Sequence, residues 1–239
     1  MKGLKLFLPL FLLWALLAPA AGAQTLDEVL AKHAAAHGGL EKWRAVSSMI
    51  ITGTQVIFSE SHPFLYEFRR PDLSRFEQTM LGQKMTIAHD GKVTWWVHPI
   101  MEIVKPTAVP EADAVLARHA AEFESPLVDA AAKGNKVELL GKDEVDGQPA
   151  LKLKVTRKDG SEETWYLDPS THLELARFDR TLDLPDGKDR WTYFSDFRPV
   201  DGLVIAHRQD QEFFIRHLSF TVEKVQINPE IDPARFKMQ

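Results

Sequence analysis

His33 and His37 are the residues in this 239-residue chain whose types and spacing come nearest to chemistry. Positions four apart share one face of a helix, so both imidazoles can reach a single metal ion. The residues between them are Ala34, Ala35 and Ala36. A zinc-hydrolase motif needs a glutamate directly after the first histidine, and none is there. A third ligand would have to come from elsewhere in the chain. The other histidines, His62, His89, His98, His119, His172, His207 and His217, show no ligand spacing. The expectation is therefore that His33 and His37 serve packing or the surface, with no metal and no cofactor.

Other reaction chemistry is as thinly supported. No Gly-x-Ser-x-Gly nucleophile elbow occurs. Lys133-Gly134-Asn135-Lys136 is too short for a phosphate loop and reads as a helix stop. Glu122 with Glu124, and Glu162 with Glu163, are carboxylate pairs of a kind that strand alternation and solvated helices produce routinely. The chain has no cysteine, which removes thiolate chemistry, disulfides and a cysteine-borne lipid anchor. No catalytic residue is assigned, and the expected class is a binding protein rather than an enzyme.

The first residues read as a targeting segment. Lys2 and Lys5 precede the apolar run Leu6 to Leu17, and Ala21-Gly22-Ala23 supplies a small-x-small cleavage site. The run is short of the ~20 residues a membrane span needs. Residues 1–23 are expected to be a cleaved secretory signal, leaving 24–239 as one periplasmic domain that is not lipid-anchored. The net charge of −5, with no basic tract, argues against nucleic acid and anionic lipid surfaces as partners. A monomer is expected.

The elements that would position any site are mostly strands. Asp90-Gly91, Asp146-Gly147, Asp159-Gly160, Asp186-Gly187 and Asp201-Gly202 each separate short runs rich in β-branched and aromatic residues. Asp-Gly accepts the positive φ angles of tight hairpin turns, so the spacing describes an antiparallel meander. Thr25 and Glu28 form a capping box that opens a helix to about Ala36, with His37-Gly38-Gly39 ending it. Pro99, Pro106 and Pro110 predict an irregular stretch. Helical periodicity follows over 111–123, and Ser125-Pro126 predicts a second short helix to Lys133. The predicted fold class is α+β: a strongly curved antiparallel sheet, a half-barrel of about 11–12 strands, with helices covering its concave face. The segment 101–133 is expected to form a helical lid, hinged near its prolines.

Six tryptophans and fourteen phenylalanines are a heavy aromatic load. Core filling is one reading; the other is an apolar cavity between sheet and helices. Strand alternation suggests a lining of Phe58, Phe64, Tyr66, Phe68, Phe76, Met85, Ile87, Trp95, Val97, Leu116, Leu153 and Trp165. A slip of one residue would turn each strand's set to the other face.

Several segments resemble one family in order. They are His37-Gly38-Gly39-Leu40-Glu41-Lys42-Trp43 with the Thr52-Gly53-Thr54 strand, then Asp90-Gly91-Lys92-Val93-Thr94-Trp95. Tyr166-Leu167-Asp168-Pro169-Ser170-Thr171 follows, then Tyr193 through Gly202, and an ending from Asn228-Pro229 to Phe236. Together they resemble the LolA-like periplasmic outer-membrane lipoprotein-sorting proteins, in their broad, poorly characterised branch. The resemblance implies a curved sheet with helices over the concave side, a cavity for acyl chains, and no catalysis. Its implied partner is an acyl chain, a lipid or a lipidated protein. An envelope sensor or assembly module that binds another protein is the alternative, and a metal-dependent enzyme using His33 and His37 is a third.

Overall fold

The computed structural model describes residues 24–120, 122–180, 189–213 and 216–239. The signal-like segment and the Asp186-Gly187 turn lie outside the described residues. Two helices come first, α1 (Leu26–Ala36) and α2 (Leu40–Ala45). Six strands follow: β1 (Ser48–Ile57), β2 (Glu60–Arg69), β3 (Leu73–Met80), β4 (Gln83–Asp90), β5 (Thr94–His98) and β6 (Ile103–Ala108). After α3 (Glu111–Ala120) and α4 (Ala130–Lys133) come β7 (Lys136–Val145), β8 (Gln148–Thr156), β9 (Glu162–Leu167) and β10 (Glu174–Arg180). The last strands are β11 (Asp189–Val200), β12 (Leu203–Phe213) and β13 (Arg216–Ile227).

Among the described residues, thirteen strands form one antiparallel sheet, ordered β6-β5-β4-β3-β2-β1-β13-β12-β11-β10-β9-β8-β7. The chain thus makes two meanders, joined where β1 pairs with β13. The sheet is curved and open, with β6 and β7 as its two edges. The strand count exceeds the expected 11–12 because the proline-bearing stretch before α3 is itself a strand, β6. Pro106 cannot donate to a ladder, and an edge strand needs only one of its sides paired. The expected second helix from Ser125 shortens to turns plus α4.

The local chemistry explains the joints. Thr25 Oγ1 accepts from the Glu28 amide while the Glu28 carboxylate accepts from Thr25 N, closing the capping box on α1. Asp146 (φ 49°) with Gly147 (φ 79°), and Asp201 (φ 49°) with Gly202 (φ 80°), supply two consecutive left-handed residues, as tight hairpins need. At Gly38 (φ +98°) the backbone passes so close to the β11–β12 hairpin that an added Cβ would lie 2.2 Å from Gly202 O. The His-Gly-Gly segment is therefore a place of close chain approach, which brings α1 down onto the sheet.

The chain between β6 and β7 joins one sheet edge to the other, and its described residues cross the sheet. They cross on the face that bears α1 and α2. Leu127 packs with Val29 of α1 over Leu151, Leu153, Val155, Trp165 and Leu167. Val128 packs with Trp43 over Met49, Phe68 and Leu203. The reverse face has its own small cluster of Val145, Ala150, Tyr166 and Ala176. On the β2–β5 side it also carries the C-terminal tail, whose Phe236 is fully buried.

Candidate functional site

Register decides which side chains share the helix-bearing face. Met49 pairs with Phe68, Ile51 with Tyr66 and Gly53 with Phe64. Tyr66 then pairs with Phe76, Phe76 with Ile87, and Ile87 with Trp96. The result is an aromatic field. The Tyr66 ring lies 4.5 Å from that of Phe76 and 5.2 Å from that of Phe68, and Phe64 lies 5.7 Å from Phe220. Burial lifts the Tyr66 phenol to about 12, so it stays neutral in any physiological range. Phe64 and Phe68 are buried, whereas Tyr66, Phe76, Met85, Ile87, Trp96 and Phe220 are only half-buried.

The sequence-derived lining set divides accordingly. Phe64, Tyr66, Phe68, Phe76, Met85 and Ile87 occupy the helix-bearing face of β2–β4. Leu153 and Trp165 are on the same face, but in the packed core under α1. Trp95 and Val97 are on the reverse face, because Trp96 is the residue that pairs with Ile87. Phe58 (φ 49°) sits in the β1–β2 hairpin turn and is 70% exposed, so it lines nothing between sheet and helices. Leu116 falls within α3; its side chain lies outside the described residues.

The segment crossing this face is held at several points, beginning in α3, where Ala114 is buried and His119 Nε2 lies 2.9 Å from Asp159. Leu127 and Val128 are buried in the two core clusters and fix its second half. Toward its middle, Phe123 packs 5.7 Å from the Phe68 ring, beneath the Arg70 guanidinium at 5.0 Å. Glu124 accepts from Arg70 at 2.5 Å and pairs with Lys133 at 3.1 Å. Glu122 is held at 2.7 Å by Arg157, which also grips Glu163 at 2.8 Å. The expected lid of 101–133 is thus pinned most firmly from Glu122 onward, and β6 belongs to the sheet.

A cavity of about 500 Å³ opens on the reverse face. Its walls include Arg75, Lys84, Thr86, Trp95 and Val97, with Asp232, Arg235 and Lys237 of the tail. Arg235 clamps Glu67 at 2.7 Å, and Trp95 Nε1 donates to Phe236 O at 2.7 Å. Most of its lining surface is apolar, but Arg75, Lys84, Arg235 and Lys237 ring it with positive charge, unlike the aromatic field.

The two helical histidines meet a partner that sequence spacing did not reveal. Glu174 opens β10, where a register shift between Glu174 and Ala176 inserts one extra residue. The bulge leaves Glu174 opposite Leu167 on the helix-bearing face, while Ala176 turns to the other side with Tyr166. His37 Nε2 lies 2.7 Å from one Glu174 carboxylate oxygen, and His33 Nε2 lies 3.5 Å from the other. The far nitrogens are committed to backbone carbonyls: His33 Nδ1 to His172 O at 2.9 Å, His37 Nδ1 to Val204 O at 2.8 Å. All three side chains are buried. Burial pulls both imidazoles down. For His33 it prevails over the pull of Glu174 and the net shift is downward. For His37 the Glu174 charge and hydrogen bond outweigh burial, and the pKa rises. Burial alone would raise Glu174, but the two imidazoles hold it down at about 2.

No protein-family model and no curated protein matches the sequence. Solved structures do match its shape. A LolA superfamily protein from Nitrosomonas europaea superposes with a TM-score of 0.59 at 10% identity, over 90% of this chain and 98% of that one. A DUF1329 family protein from Desulfovibrio piger gives 0.58 at 13% identity, over 88% and 99%. A domain assigned to outer membrane lipoprotein sorting, from Vibrio parahaemolyticus, gives 0.58 at 10% identity, over 87% and 94%. The chain has the LolA-like fold.

Proposed function

We propose that this protein is a periplasmic carrier that holds an acyl chain, as free lipid or on a lipidated protein, against the aromatic field of β2–β4. The observation that carries the reading is the half-buried set Tyr66, Phe76, Met85 and Ile87, adjoining buried Phe64 and Phe68. A soluble protein gains nothing by leaving so many large apolar side chains half-covered, unless something else covers them in use. Long open sheets of twisted strands curl, and the helices need the sheet's dry face. We take the helix-bearing face to be the concave one, with α3 and residues 122–124 roofing the hollow. The signal-like segment 1–23 supports export.

Hydrocarbon burial contributes about 0.8 kcal/mol per methylene, so roughly ten methylenes give about 8 kcal/mol before ordering costs. No polar anchor is needed at that magnitude. Release requires only that the roof lift. The carrier reading needs no catalytic group. Among the fold relatives, the Vibrio domain's assignment to lipoprotein sorting makes a lipidated protein the first cargo to test.

Titration of the purified chain with a fluorescent long-chain fatty acid tests the site. The wild type is expected to bind it saturably, and Phe76→Ser to weaken it about tenfold while leaving the fold intact. Equal affinity in both proteins would remove the aromatic field from the account.

A further inference from the structure

We infer that His33, His37 and Glu174 form a binding site for a divalent transition-metal ion of the zinc class, which would fasten α1 to β10. This goes beyond lipid carriage and does not depend on it.

A backbone carbonyl can only accept, so the contacts to His172 O and Val204 O place a proton on Nδ1 of each histidine. Both Nε2 atoms then face the two Glu174 carboxylate oxygens, at 3.5 Å from His33 and 2.7 Å from His37. A proton on His37 Nε2 answers the 2.7 Å contact. It leaves His33 Nε2 without any hydrogen-bond partner in a side chain that is fully buried. Buried polar atoms without partners are rare and costly. One divalent cation satisfies both imidazole lone pairs and the carboxylate together.

The geometry fits that role. The three ligand atoms lie within 4.8 Å of one another. Tetrahedral zinc with bonds of about 2.0–2.2 Å holds its donors roughly 3.3 Å apart. The observed 3.5 Å separation of His33 Nε2 from Glu174 is close to this. The 2.7 Å between His37 Nε2 and Glu174 opens by a small side-chain rotation. The His33 and His37 rings stand edge-on, with centroids 4.6 Å apart, so their Nε2 atoms converge without stacking. Metal-bound histidines usually donate their remaining N–H to a carbonyl or carboxylate, which fixes the tautomer and the ring. Both histidines already do so. Two imidazoles and one carboxylate suit zinc and its first-row neighbours and do not suit calcium or magnesium.

The ligands join elements far apart in the chain. His33 and His37 are separated from Glu174 by more than one hundred residues of chain. A metal here would brace α1, and the Leu127 packing that rests on Val29, against the sheet.

The test uses the full chain after its signal-like segment, freed of metal with chelator and then given Zn(II) or Co(II) alone. One equivalent of zinc should be retained after gel filtration. Co(II) should give the visible absorption of a tetrahedral site, and zinc should raise the melting temperature. Glu174→Gln, which keeps the shape, should bind Zn(II) at least tenfold more weakly. Wild-type protein that holds zinc no better than Glu174→Gln overturns the inference and leaves a proton-bridged His37–Glu174 pair. Should Glu174→Gln fail to fold, the ¹⁵N resonances of the wild-type imidazoles decide. Zinc must shift the Nε2 signals of His33 and His37, and unmoved signals overturn the inference equally.

Discussion

Truncating Phe123 to alanine separates a moving roof from a rigid one. The side chain is half-buried against Phe68, at 5.7 Å between rings, with Arg70 5.0 Å above it. Losing half of a phenylalanine burial costs about 1 kcal/mol. The aromatic pair adds roughly 0.5–1.5 kcal/mol. The cation–π contact with the partly exposed Arg70 adds about 0.5 kcal/mol. The sum is about 2–3 kcal/mol. Leu127 and Val128, buried in the two core clusters, are untouched. The loss therefore falls on local opening of residues 111–124, which still has to break the ion pairs of His119, Glu122 and Glu124, rather than on the whole fold. At 1.4 kcal/mol per decade, about 2 kcal/mol raises the open population roughly 30-fold. Hydrogen exchange followed by mass spectrometry reads this directly. Peptides covering 111–124 should lose protection by that factor while β8 and β9 keep theirs, and a bound fatty acid should leave correspondingly faster. Uniform loss of protection across the sheet, or none at 111–124, would refute the idea that this segment opens by itself.

Three further outcomes are expected. Gly38→Ala should cost about 2–3 kcal/mol, roughly 5–10 °C in melting temperature, because its Cβ meets Gly202 O at a positive φ. Gly39→Ala, also at positive φ but with open space around it, should cost clearly less in the same thermal melt. Phe236→Ala should cost about 3–5 kcal/mol by denaturant titration, since that ring of the tail is fully buried against the sheet. Glu163 links stability to acid. Burial opposes its charge, but Arg177 and Arg157 prevail and depress its pKa. Its stabilisation is then complete above the unfolded value of about 4.3 and is lost as pH falls through the lower folded value. Glu163→Gln should flatten the decline of stability below about pH 4. At neutral pH it should cost about 1–3 kcal/mol, because the buried Arg157 keeps only its Glu122 partner. A denaturation series from pH 7 to 2 checks both signs.

Local chemistry made much of this architecture legible. Asp146-Gly147 and Asp201-Gly202 stand in the sequence as turns and are turns, since their φ angles are what those residues tolerate. Thr25 and Glu28 announce the start of α1 in the same way. Two hairpins carried no such signal. Leu81-Gly82 and Phe58-Ser59 take the same positive φ pairs, with Leu81, Phe58 and Ser59 as residues that rarely do so. Phe58 consequently read as cavity lining and is a turn tip. Trp95 and Trp96 are adjacent, so one indole had to face each side, and only the β4–β5 register shows that Trp96 joins the aromatic field. The β1–β13 pairing that unites the two meanders depends on contacts remote in sequence. Glu174 was hidden for the same reason and one more: a bulge decides which way it points, and no sequence period encodes a bulge. The histidine spacing was visible, while the partner that gives it meaning was not.

The central claim is that the half-covered aromatic surface of β2–β4 exists to hold hydrocarbon. Native mass spectrometry of the protein purified gently from the bacterial envelope tests it most directly. The expected spectrum shows one acyl-bearing molecule per chain, released by organic solvent and missing from Phe76→Ser. A folded wild-type chain that arrives bare, and stays bare when offered lipid vesicles or a lipidated peptide, would contradict it.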